Sequence, residues 1–223
     1  MRAIVCSLTL IFMAMSANAC VGLTDVDDLP LVEMAPRRPG QMLAVFVSGD
    51  GGWRAIDRRV AEQLHARGFG IVGLVSPRFF ARARTPEESS CALQRILEHY
   101  VIRWRATDVV VIGYSRGAGV VPFMVNRLSA PWRKKIVTVA LMGLDPTIAF
   151  QITPFAVPEV PVRDEVERLR IKRVLCFYGV NERDSLCRQI TPGVAVRIPE
   201  PGSHHFAGNY DDLARAIWSW SRS

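Results

Sequence analysis

Short, wholly apolar runs alternate with longer stretches of helical spacing along most of this chain. Met42–Val47, Ile71–Val75, Val109–Ile112, Ile136–Met142, Arg173–Tyr178 and Val194–Ile198 are rich in apolar residues, many of them β-branched, and lack a 3.6-residue period. Such runs suit strands buried on both faces of a parallel sheet. Between them, Trp53–Arg67 places Ile56, Val60 and Leu64 on one helical face and is stopped by Gly68. Thr85-Pro86-Glu87-Glu88 reads as a helix start, with Thr as cap and Pro at the first position, and predicts a helix to about Trp104. A further helix is expected after Gly117, a short one over Arg163–Leu169 and a closing one over Tyr210–Trp220. Val21–Gln41 is a Pro-rich lead-in with an edge strand near Leu29–Met34, and Asp145–Val162, rich in proline and aromatics, shows no clear period. The alternation predicts an α/β fold, one mostly parallel sheet with helices on both faces.

The first residues stand apart from this pattern. Met1-Arg2 is a short basic start, Ile4–Met15 is apolar but too short to span a bilayer, and Ala17-Asn18-Ala19 is an A-x-A cleavage site. Residues 1–19 are therefore expected to be a signal peptide, 20–40 a lead-in and 41–223 the folded domain. Export places the protein in the periplasm of a Gram-negative host, and Cys20, directly after the cleavage site, leaves open a lipid-anchored N-terminus. Cysteine usage agrees with export. Cys176 ends an apolar run and Cys187 follows a short polar loop, so a disulfide would clamp that loop and contribute about 3 kcal/mol. The other reading is a pair of buried thiols.

The chain carries 28 basic and 21 acidic residues, a formal charge of +7, scattered apart from short clusters such as Arg133-Lys134-Lys135. That balance suits an anionic partner such as a phospholipid surface. No nucleic-acid-binding motif is present, so nucleic acid is not expected as a partner.

The candidate chemistry centres on Asp108–Gly119, DVVVIGYSRGAG. A buried strand, G-x-S-x-G and a helix form the nucleophile-elbow arrangement of α/β-hydrolases, with Ser115 on a turn so tight that it needs glycine on either side. A serine nucleophile needs a base, and the chain has four histidines. His65 and His99 lie in predicted helices. His204 and His205 lie between the last strand and the last helix, where this fold delivers its histidine. The loop after Arg173–Tyr178 offers Glu182 and Asp184 as the acid that orients the base. His205 is preferred over His204 because it directly precedes Phe206, and Asp184 is preferred over Glu182; both alternatives stay open. The backbone N–H of Arg116 and the loop Ser48–Trp53, with Gly49, Asp50 and Gly51, are the expected oxyanion donors. That loop lacks the Gly-Lys-Ser/Thr of a phosphate loop. No metal or organic cofactor is implied.

SGDGGW at 48–53, RFFARARTPEES at 78–89, IGYSRGAGVVPF at 112–123 and GSHHF at 202–206 resemble the VirJ/AcvB family of bacterial virulence proteins, over about Leu29 to Trp220. By that resemblance the short, single-domain form is expected. The resemblance implies an exported serine-hydrolase-like protein of α/β-hydrolase fold, linked to virulence and secretion, with Cys176 and Cys187 falling as the family's cysteine pair does. Some members hydrolyse aminoacylated phosphatidylglycerol such as lysyl-phosphatidylglycerol, which implies a lipid ester as substrate and secretion-system proteins as further partners. Two other readings remain, a general esterase or thioesterase and a non-catalytic periplasmic adaptor. Asp50 poses a puzzle, because a carboxylate facing a developing oxyanion would raise the barrier. It is expected to point aside, holding the loop, capping the following helix or receiving a cationic group of the substrate.

Overall fold

The computed structural model describes Cys20 and residues 25–223. The expected signal peptide lies outside the described residues. The chain runs through β1 (Leu31–Met34), β2 (Leu43–Val47), α1 (Ala55–Ala66), β3 (Gly70–Leu74), α2 (Ser76–Phe79) and α3 (Pro86–Trp104). It continues through β4 (Val109–Tyr114), α4 (Arg116–Asn126), α5 (Ala130–Lys135), β5 (Ile136–Met142), β6 (Thr147–Ile148) and β7 (Val160–Pro161). The last elements are α6 (Arg163–Glu167), β8 (Arg173–Gly179), β9 (Val196–Glu200) and α7 (Tyr210–Arg222). Seven strands form one sheet in the order β1-β3-β2-β4-β5-β8-β9. β1 is antiparallel to β3, and the other pairings are parallel.

Alternation along each strand divides the core into two layers. Leu43, Val45, Val47, Val109, Val111, Val139 and Leu141 meet Leu93, Leu97 and Val121 of α3 and α4 on one face. Ala44, Phe46, Val110, Ile112, Ala140 and Met142 meet Val60 and Leu64 of α1 and Leu213 and Ile217 of α7 on the other. Both faces are covered, which is why these strands read as unbroken apolar runs. Burying each Val, Leu or Phe side chain contributes about 1.5–3 kcal/mol.

Helix α3 begins as its sequence dictates. Thr85 Oγ1 accepts from the Glu88 N–H at 3.0 Å, and the Glu88 carboxylate accepts from the Thr85 N–H at 2.8 Å. The short helices α2 and α5 were not predicted, being under two turns each. The Asp145–Val162 segment, without a period in sequence, closes on itself through the two-residue pair β6–β7.

The lead-in is bound to the sheet. Beyond the strand β1, Arg95 of α3 donates to the Asp25 carbonyl and pairs with the Asp28 carboxylate. Cys20 is bonded to Cys91 of α3. Cys176 and Cys187 are also joined, as the sequence suggested. Among the described residues, no helix is long and apolar enough to cross a membrane. The parallel strands end on one side, so the loops after β2, β4, β5, β8 and β9 gather there. Ligands of open α/β sheets bind at this edge.

Candidate active site

Ser115 sits between β4 and α4 with φ 53° and ψ −117°, a conformation non-glycine residues rarely adopt. A side chain at Gly113 would place its Cβ 2.3 Å from the Gly117 carbonyl oxygen, and one at Gly117 would place it 1.9 Å from the Val47 carbonyl oxygen. The two glycines of G-x-S-x-G thus let the start of α4 press against β2 and β4. The Ser115 N–H donates to the Met142 carbonyl at 2.9 Å, which fixes the turn to β5. Holding such a residue costs about 1–3 kcal/mol and is typical of functional sites.

Ser115 opens on a cavity of about 360 Å³, whose walls include Gly49, Tyr114, His204, His205 and Tyr210. The loop after β2 forms one side. The Gly49 carbonyl accepts from the Gly52 N–H at 3.0 Å. Because the peptide is planar and trans, the Asp50 N–H points the opposite way. Neither that N–H nor the Arg116 N–H, at the first position of α4, makes a hydrogen bond among the described residues. Both are free to serve a substrate oxygen. The loop is pinned from below, where the buried Ser48 hydroxyl accepts from the Ser76 N–H at 3.0 Å and the Ser76 hydroxyl donates to the Ser48 carbonyl at 2.5 Å.

The Asp50 puzzle resolves in this geometry. Its carboxylate pairs with the guanidinium of Arg116, which also donates to the Ala149 carbonyl. Asp50 therefore ties the Gly-rich loop to α4 and, through Arg116, to the segment just after β6. Asp57, which sequence reading passed over, is buried below the same loop. Its carboxylate accepts from the Arg54 N–H at 3.0 Å, while its other oxygen has no hydrogen-bond partner among the described residues. Burial pushes its pKa up to about 6 against the opposing pull of backbone N–H groups at Arg54, Asp57 and Gly49.

The histidine and acid arrive from the neighbouring loops. His204 Nδ1 lies 2.5 Å from Glu182 Oε1. The His204 ring fits against Gly143, where a Cβ would stand 2.8 Å from its Cε1. Glu182 is held in turn: its N–H donates to the Gly179 carbonyl at 2.9 Å, and Arg188 Nε donates to the Glu182 carbonyl at 2.9 Å. The Cys176–Cys187 bond fastens the base of that loop to β8. The hydrogen bond to Glu182 raises the His204 pKa above its ordinary 6.5, burial opposes the rise, and the charges of Glu182, Asp145 and Asp50 add to it.

The structure thus brings together His204 and Glu182, the alternatives in sequence, rather than His205 and Asp184. His205 is exposed and its Nδ1 lies 2.7 Å from the Tyr114 hydroxyl, and among the described residues no carboxylate hydrogen-bonds to it. Asp184 is exposed and makes no side-chain hydrogen bond or ion pair among the described residues. The second residue that sequence reading missed is Asp145. Its carboxylate, a Glu182 carboxylate oxygen and a His204 ring nitrogen lie within 4.8 Å of one another.

The comparisons agree with this architecture. Est1E from Butyrivibrio proteoclasticus, solved with ferulic acid bound, superposes with a TM-score of 0.64 at 14% identity, covering 88% of this chain and 96% of that one. The thioesterase domain from the curacin biosynthetic pathway gives 0.58 at 14% identity, covering 84% and 94%. The esterase domain of a Rhodothermus marinus protein gives 0.56 at 14% identity, covering 87% and 96%. The fold is that of the α/β-hydrolases. No curated protein sequence matches the chain. The family model described as "Bacterial virulence protein (VirJ)" matches residues 41–223. The chain therefore belongs to the VirJ family of bacterial virulence proteins.

Proposed function

We propose that this protein is an exported serine esterase with Ser115 as nucleophile, His204 as general base and Glu182 as the acid that orients it. One observation carries the reading: His204, with Glu182 at 2.5 Å from its Nδ1, lines the same cavity as a serine held in elbow geometry. His204 takes the proton of the Ser115 hydroxyl as Oγ attacks the ester carbonyl. The imidazolium then gives that proton to the departing alcohol, leaving an acyl-serine. Water, deprotonated by the same histidine, releases the acid and restores Ser115. The N–H groups of Asp50 and Arg116 receive the oxyanion, and one such donor is typically worth about 3–4 kcal/mol. That several structural relatives are esterases and thioesterases supports the general class.

The substrate proposed is an ester of a phospholipid headgroup, with lysyl-phosphatidylglycerol as the representative. The apolar stretch Ala149–Pro158 carries no charged residue, and Phe155 at its tip is 79% exposed. It is hydrogen-bonded, backbone to backbone, to the arginine-bearing segment Phe79–Arg84, through Arg84 N–H to the Phe150 carbonyl and Ile152 N–H to the Phe80 carbonyl. An apolar tip beside arginines suits an anionic lipid surface. Purified protein without its leader is expected to release lysine from vesicles containing lysyl-phosphatidylglycerol, and Ser115→Ala is expected to release none. Release by both proteins would place the chemistry elsewhere. No release by either, with simple esters still cleaved, would leave a general esterase.

The pH dependence follows from His204. A base must be neutral to accept the serine proton, so a raised pKa moves the acid limb upward. The kcat/KM profile is expected to rise with pH through a midpoint above 6.5. A midpoint below 6.5 would remove His204 from the role.

A further inference from the structure

Two loops, not one, bring a carboxylate to His204. β5 and β8 are neighbouring parallel strands, with Met142 in register with Phe177. The loops leaving them are stitched together: Gly143 N–H donates to the Phe177 carbonyl at 3.0 Å, and Leu186 N–H donates to the Leu144 carbonyl at 2.8 Å. Asp145 therefore stands in a fixed frame against the acid loop, and its carboxylate comes within 4.8 Å of both the Glu182 carboxylate and a ring nitrogen of His204. No hydrogen bond joins Asp145 to either group among the described residues, and the separation is short enough for a charge interaction.

Resting on the esterase reading, we infer that Asp145 is a second acid of this site, a positioning residue that shares the His204 imidazolium with Glu182 and retains part of the role when Glu182 is neutralised. Asp145 is exposed on its solvent side, yet partial burial of its carboxyl raises its pKa, the His204 charge opposes that rise, and the like charges of Glu182 and Asp50 add to it. Asp145 is thus least comfortable as an anion beside a neutral histidine and most comfortable beside an imidazolium. The imidazolium forms as the serine attacks, so the interaction strengthens in the transition state. The other groups around His204 are Glu182 and Asp50, with the Tyr114 ring centroid at 5.4 Å and the His205 ring centroid at 5.9 Å. A sequence search for one acid after one strand does not find this arrangement, because Asp145 lies in a segment without periodicity.

The test combines kinetics with titration. Glu182→Gln is expected to lower kcat by about a hundredfold, short of the roughly ten-thousandfold typical when a sole acid partner is neutralised. Asp145→Asn is expected to cost about three- to tenfold and to move the acid limb to lower pH. Asp145→Glu should restore both. The double variant is expected to fall at least about ten-thousandfold. His204 titration is followed by NMR in a Ser115→Ala background, with and without Asp145→Asn; its midpoint should move down when Asp145 is neutralised. This readout needs no activity. If no ester is cleaved and the His204 midpoint still moves down, the second acid stands and the esterase reading falls. An active enzyme whose His204 midpoint ignores Asp145→Asn, or a double variant no slower than Glu182→Gln, overturns the inference.

Discussion

Replacing His204 by alanine is expected to cut ester turnover by about ten-thousandfold or more, whereas His205→Ala should cost less than about tenfold. The two residues are adjacent, so the contrast isolates side-chain placement. His204 has an acid at 2.5 Å and a slot prepared by Gly143. His205 is exposed and engages the Tyr114 hydroxyl at 2.7 Å. Losing the first removes the group that takes and returns the serine proton. Losing the second removes one hydrogen bond, worth about 0.5–1.5 kcal/mol. Hydrolysis of a chromogenic acetate ester by each variant, with circular dichroism to confirm folding, decides the matter. The reverse order of losses would move the base to His205.

The second large effect is on stability. Gly117→Ala is expected to lower the unfolding free energy by more than about 3 kcal/mol and to leave little soluble protein. The added methyl would stand 1.9 Å from the Val47 carbonyl oxygen, an atom of the central strand β2 that has parallel partners on both sides. Neither side of that contact is a flexible side chain, so relief requires α4 to lift off the sheet. Gly40→Ala is the control. Gly40 has a φ of 78° but nothing within 4 Å of an added Cβ, so only the backbone term of about 1–2 kcal/mol is expected. Urea unfolding of both variants gives the comparison. A loss at Gly117 no larger than at Gly40 would contradict the close approach of α4 to β2.

Much of this was legible in the sequence because the relevant signals are local. Buried parallel strands need continuous apolar residues, and Val109–Ile112 supplied them; α3 announced itself through Thr85 and Glu88; the elbow showed in two glycines around Ser115. What stayed hidden depends on direction. The spacing of a loop does not say which of two neighbouring histidines turns inward, since that follows from the opening at Gly143, just past the end of β5. Glu182 and Asp184 are likewise two residues apart in one loop, and the choice is made by the turn at Gly179 and by Arg188 reaching the Glu182 carbonyl. Asp57 reads as an ordinary acid in the first turn of a helix, and only the packing of the Gly-rich loop above it reveals its burial. The Cys20–Cys91 bond joins segments far apart in the chain and has no spacing to betray it.

The central claim is that Ser115 is an activated nucleophile. A serine-directed fluorophosphonate, followed by intact mass and peptide mapping, tests it without assuming a substrate. The folded protein is predicted to gain one adduct, on Ser115, and to lose esterase activity in step with labelling; Ser115→Ala should gain none and His204→Ala should label far more slowly. Folded protein that takes up no label and cleaves no ester would contradict the account and leave the hydrolase fold as a docking scaffold.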